Sequence, residues 1–135
     1  MKSIKRINPE GKPYTQAVPT EQSDYPVFPS QSAKESVLQT TQDLYADGKL
    51  IRGSVNDGEG GHCIMGVFQM VGIRSMMVNL TKLSPIVRMF VTTNNEGPGG
   101  YSPGVEEGKY EPVTPSAYQE VMMLIKDCPV EGEEK

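Results

Sequence analysis

The chain contains no tryptophan, one histidine, two cysteines and three phenylalanines in 135 residues. Each shortage removes a class of function. Two cysteines cannot build a disulfide framework, and Cys63 and Cys128 form no Cys-x-x-Cys pair, so both are read as reduced thiols of a cytosolic setting. With His62 the only histidine, a zinc site would have to join His62, Cys63 and Cys128 to an acid without the usual short ligand spacings. No metal or cofactor is expected. There is no run of eighteen apolar residues, and the basic start Met1 to Tyr14 has no apolar segment behind it, so neither a membrane partner nor a secretory signal is expected. A net charge of −4 argues against wholesale nucleic-acid binding, which needs a basic face to displace counterions.

What remains is a chain of single-domain size with unevenly spread charge. Lys2, Lys5, Arg6 and Lys12 stand against Glu10 at the start, whereas residues 102–135 hold eight acids and three bases. Both ends read as solvated segments. The sequon Asn79-Leu80-Thr81 would matter only in a secreted protein.

Residues 1–30 are expected to form an extended, irregular arm that is dispensable for folding, so that a chain beginning at Ser30 keeps its helical circular dichroism. Pro9, Pro13, Pro19, Pro26 and Pro29 interrupt it too often for a helix, and its aromatics, Tyr14, Tyr25 and Phe28, follow no steady period. A helical domain is expected over 31–128 and an acidic tail over 129–135. The fold class is mainly α, a small three-to-four-helix domain with long irregular loops.

The first helix is placed at 33–47. Ser32 caps it with Glu35 three residues on, Val37, Leu38, Thr41, Leu44 and Tyr45 repeat every three and four, and Gly48 stops it. Leu50 to Val55 reads as a short extended piece, and Asn56 to Gly61 as a turn. The run His62 to Val71 is apolar nearly all round and is either a buried central helix or a buried strand. Cys63, Gly66, Val67, Met70 and Val71 are expected at the centre of the core, with Gly66 admitting a close neighbour. Met76 to Leu83 suggests a helical turn or two. Ser84-Pro85 starts another helix through Val91, with a strand possible at Val91 to Thr93. Residues 94–113 make a long Gly/Pro-rich loop, and Thr114-Pro115 starts a final helix that Pro129 ends.

These pieces resemble a family of small uncharacterised proteins of bacteria and phages. The residues that carry the resemblance are Cys63 and Gly66, Asn94 and Asn95, then Thr114, Glu120 and Val121, within about residues 33–127. The tryptophans expected near the first turn and the Asn-Asp-like turn are absent, the 94–113 loop is longer, and the arm is extra. The resemblance implies a helical fold in a bacterial or phage setting, located in a host cytoplasm or a virion, and brings no activity.

No grouping is assigned a catalytic role. Neighbours such as His62 and Cys63 point apart on a helix, which disfavours a Cys/His nucleophile pair. Asp57 to Gly61 lacks the Lys-Ser/Thr of a phosphate loop, and Asp57 and Glu59 would repel an anion. Glu96, Glu106 and Glu107 are loop acids, and the methionines read as core filler or as a pliable partner groove. The expected function is a non-enzymatic binding or assembly protein acting on a protein partner or on itself through the arm and the 94–113 loop. Tyr14, Tyr25, Phe28, Tyr101 and Tyr110 are its candidate contacts. The alternative is a small enzyme or ligand binder with Asp57, Glu59 and His62 at a site between the 56–62 turn and the long loop.

Overall fold

A computed structural model describes residues 1–53, 57–76, 84–97 and 111–132. Among them are four α-helices and one small antiparallel sheet, so the mainly α reading holds with a β element added.

The arm is not irregular. Strands β1 (Lys2–Ile7) and β2 (Pro13–Val18) form a hairpin in the register Ile4↔Gln16 and Arg6↔Tyr14. The prolines that argued against structure sit where strands tolerate them, Pro9 in the turn, Pro13 at the first position of β2 and Pro19 just beyond its end. Asn8 shapes the turn, its Oδ1 accepting from the amides of Lys12 at 2.8 Å and Glu10 at 3.1 Å. The alternation of β2 turns Tyr14 and Gln16 inward onto the third helix, and β1 remains the exposed outer strand. A 3₁₀ turn at Gln22–Asp24 follows. Asp24 closes it by accepting from the amides of Thr20 at 2.7 Å and Glu21 at 3.1 Å.

Helix α1 (Gln31–Ala46) starts two residues earlier than expected. Its cap is Ser30, accepting from the Ala33 amide at 3.0 Å, and Ser32 lies inside the first turn. The extended path ends at Ser30 because Phe28 just before it is held in a parallel bridge to Val130. Gly48 ends the helix region in the left-handed conformation at φ +69°, which a residue with a Cβ adopts only with strain.

The His62 to Val71 run is helical. Helix α2 (Ile64–Val71) buries Ile64 through Phe68. His62 lies outside it, in an isolated bridge to Leu50, and Ile51 bridges Pro112; the end of the Leu50 to Val55 piece lies outside the described residues. Cys63, Gly66 and Val67 are in the core as expected. Met70 is 55% exposed and Val71 half-buried, because a helix of two turns at the edge of the body turns its last residues to water. A 3₁₀ turn at Arg74–Met76 follows, and the remainder of the Met76 to Leu83 expectation lies outside the described residues.

Helix α3 (Pro85–Asn95) is capped by Ser84 and runs through Val91, Thr92 and Thr93, where a strand was the alternative. The β-branched residues are accommodated because their side chains are buried and Thr93 donates to the Met89 carbonyl at 2.8 Å. Helix α4 (Pro115–Asp127) begins at its expected Thr114 cap and proline. The acidic tail is not wholly solvent, since Val130 bridges Phe28. Residues 133–135 lie outside the described residues.

The core gathers α1, α2, α3 and α4 around Phe28, Phe68 and Phe90. Phe68 meets Phe90 edge-on at 5.2 Å and Phe28 at 6.1 Å. Met65, Met76 and Met89 are fully buried fillers, whereas Met70 and Met123 are exposed. Among the described residues no helix is long and apolar enough to cross a membrane.

Candidate functional site

The C-terminal end of α3 carries a buried polar cluster. Asn94 and Asn95, expected in a loop, are the last helical residues and are almost inaccessible, and Glu96 follows with a left-handed backbone at φ +49°. The Asn94 Oδ1 accepts from the Ile64 amide at 3.2 Å, and its Nδ2 donates to the Ile51 carbonyl at 2.9 Å and to the Asn95 Oδ1 at 2.8 Å. Asn94 thereby satisfies an amide at the start of α2 that has no partner within the helix. Glu96 accepts a very short hydrogen bond from the Thr114 hydroxyl, tying the end of α3 to the start of α4.

Arg52 is the charged member, 2% exposed. Its Nε donates to the Asn95 carbonyl at 3.0 Å, and its Nη1 donates to the Glu10 Oε1 at 2.7 Å and lies 3.7 Å from the Glu111 carboxylate. Among the described residues the Nη2 has no acceptor. Burial pushes the Glu10 carboxyl up, but the hydrogen bond and charge of Arg52 outweigh it and leave it below the ordinary value. Nothing near Leu-Ile-Arg-Gly in the sequence marks Arg52, because its partners lie some forty residues or more away in the chain.

The flanks of the 94–113 loop are accordingly pinned. Pro112 bridges Ile51, the Arg52 amide donates to the Glu111 carbonyl at 2.9 Å, and Val113 is buried. Residues 98–110, with Tyr101, Glu106, Glu107 and Tyr110, lie outside the described residues.

The 57–62 turn closes on itself. The Asp57 Oδ1 accepts from the amides of Glu59 at 2.8 Å and Gly61 at 2.9 Å, and these two bonds hold its carboxyl below the usual range. A Cβ on Gly61 would collide with the Asp57 carboxylate, which would have to shift and give up its bonds to the turn amides. Asp57 takes the amides that an anion would need. Glu59 is exposed and His62 half-buried, and the backbone of His62 is engaged with Lys49 and Ile51.

The expected contact aromatics are largely turned inward. Phe28 is fully buried, and Tyr14 is 8% exposed, its hydroxyl pushed up in pKa by burial. Both fold back because the strand register and the Val130 bridge aim them at the helices, and neither is free to meet a partner. Tyr25 is half-buried beside Asp127, its hydroxyl also raised by burial and then by that carboxylate.

Tyr25 stands at one rim of a groove of about 360 Å³ between the inner face of the hairpin and α4. Ile4 and Val18 line one wall, Met123 and Leu124 the other, and Gln16 and Thr93 lie at its base. Arg6 donates to Glu120 across it at 2.7 Å. The Glu120 hydrogen bond raises the Arg6 guanidinium further.

Among the described residues no group of three or more His, Cys, Asp and Glu side chains is placed to hold a metal ion. Burial pushes the Cys63 thiol up against the pull of the Gly66 and Met65 amides, and pushes the Cys128 thiol up to about 12. Both thiols are therefore expected to resist a thiol reagent at pH 8 in the native protein and to react once it is unfolded. The raised values also set a pH dependence. The unfolded chain loses these protons first, so stability is whole below the ordinary thiol value of about 8.5 and falls as pH rises toward 12. Reagent kinetics, with melting followed from pH 7 upward, check both expectations; rapid native labelling at pH 8 contradicts them.

Comparison with family models, with curated proteins and with solved structures finds no match to this chain.

Proposed function

We propose that the chain is a non-enzymatic binding or assembly protein of the bacterial and phage kind that its sequence resembles. It works in a cytoplasm or a virion by contact with a protein partner or a second copy. One observation carries the reading. Arg52 gathers Glu10 of the hairpin turn, Asn95 before the long loop and Glu111 after it. The hairpin turn and the two described flanks of the long loop thus meet at one pole, over a buried cluster of the kind that gives recognition loops a rigid base. Residues quoted for the resemblance, Asn94, Asn95 and Thr114, belong to that cluster.

The contact aromatics of this reading are Tyr101 and Tyr110. Tyr14 and Phe28 serve to dock the hairpin and the segment after it. Replacing both loop tyrosines (Tyr101→Ala with Tyr110→Ala) is expected to leave the melting temperature nearly unchanged. Self-association in sedimentation, or capture of a partner, should be lost. A large fall in melting temperature with association intact overturns the proposal, because the tyrosines would then be covering the protein's own helices.

A further inference from the structure

The groove between the hairpin and α4 has apolar walls that the described residues leave partly uncovered. Ile4 and Met123 face it from opposite sides and are 39% and 63% exposed. A volume of about 360 Å³ lies at the small end of ligand pockets, which run from about 300 to 1,000 Å³. That volume fits a small molecule.

The polar groups along the groove share one unmet need. Its cation, Arg6, is committed to Glu120. Asp127 forms no ion pair among the described residues. It is the last residue of α4, where the helix dipole disfavours a carboxylate. Lys34 sits near that helix end, but its ammonium is spent on the carbonyls of Lys126 and Cys128, each at 2.7 Å. Gln16 at the base is 3% exposed. Its Nε2 donates to Thr93 and Ala17, and its Oε1 has no donor among the described residues. The spare polar capacity is therefore all acceptor, and net negative once Arg6 and Glu120 cancel.

We infer that this groove binds a small amphipathic organic cation. Its apolar body lies between Ile4, Val18, Met123 and Leu124, and its ammonium or amidinium head meets Asp127 beside the ring of Tyr25. A carboxylate ligand would face Asp127 and Glu120. A neutral apolar ligand would leave the Asp127 charge, which has the Tyr25 hydroxyl as a hydrogen-bond partner but no cation among the described residues, without a counter-charge as the groove loses its water. Tyr25 adds attraction for a cation over its ring face. The site is separate from the Arg52 pole, and the inference does not depend on the contact reading.

The test titrates 2-phenylethylammonium into the full chain carrying ¹³C-labelled methionine methyls, with the Met123 signal as the report. Saturable movement of that signal is expected. Binding should be weaker by about tenfold for 2-phenylethanol, which lacks the charge, and for ethylammonium, which lacks the body. It should be absent for 3-phenylpropanoate. Asp127→Asn removes an acid from an unfavourable helix end, so the fold is expected to survive, as circular dichroism will show. Cation binding should then fall by about tenfold, with 2-phenylethanol unaffected. Met123→Lys, which brings an ammonium of its own into the groove, should abolish cation binding. No saturable shift with the cation, equal binding of the carboxylate, equal binding of ethylammonium, or cation affinity unchanged in Asp127→Asn overturns the inference.

Discussion

Truncating Phe28 to alanine is expected to destabilise the protein by about 3–5 kcal/mol, the range for a fully buried aromatic ring. Phe28 has no exposed surface, and its ring packs on Phe68, which in turn meets Phe90 edge-on. The loss combines the transfer energy of the ring with a cavity beside Phe68 that cannot fully collapse. The backbone does not change, so the bridge to Val130 holds the site open: the Phe28 amide donates to the Pro129 carbonyl at 2.9 Å and its carbonyl accepts from the Glu131 amide at 2.8 Å. A domain of this size has roughly 5–15 kcal/mol in total, so a large share of its stability rests on one residue of the arm. A chain beginning at Ser30 would lose that ring with the hairpin, and its helical circular dichroism is expected to weaken sharply. The check is equilibrium urea unfolding of Phe28→Ala beside the parent. A midpoint equal to the parent's would mean that the arm is the dispensable appendage its prolines suggest.

The second large effect is expected at Asn94. Asn94→Ala leaves the Ile64 amide and the Ile51 carbonyl buried and unpaired, at about 1–3 kcal/mol each. Water cannot readily replace the side chain, because Asn94 has no exposed surface. Asn95→Ala should cost less. Its carbonyl bond to Arg52 is made by the backbone and survives, so the losses are the Oδ1 contacts with the Gly53 amide and with Asn94. The order Asn94→Ala below Asn95→Ala below parent, read from thermal or urea unfolding, tests whether the asparagine pair is a structural clamp. If Asn94→Ala melts with the parent, the clamp is wrong, and the pair is held in the cluster for some other purpose.

Much of the helical framework was legible from local chemistry. Ser84-Pro85 and Thr114-Pro115 announce helix starts because a hydroxyl caps an amide two or three residues on and proline has no amide to leave unpaired. Gly48 announces a stop because the left-handed turn excludes a Cβ without strain. The all-round apolar run at 64–68 announces burial, and the choice of helix over strand was settled only by the helices around it.

The arm was misread for a related reason. Proline spacing reports what a segment cannot be as a helix, and says little about a hairpin that places its prolines at strand ends. The two-residue error at the cap, Ser32 for Ser30, arose because either hydroxyl can serve locally. The Val130 bridge fixed which one did.

Sequence alone determined the starts of α3 and α4, the glycine stop after α1 and the burial of 64–68, since capping, proline geometry and apolar patterning act over a few residues. Tertiary structure alone decided that Phe28 lies in the core, that Arg52 joins the hairpin turn to both flanks of the long loop, and that Arg6 reaches Glu120 across 114 positions to bound the groove. Those pairings bring together groups far apart in the chain. Their energy comes from burial and charge satisfied across elements, and no local pattern carries that information.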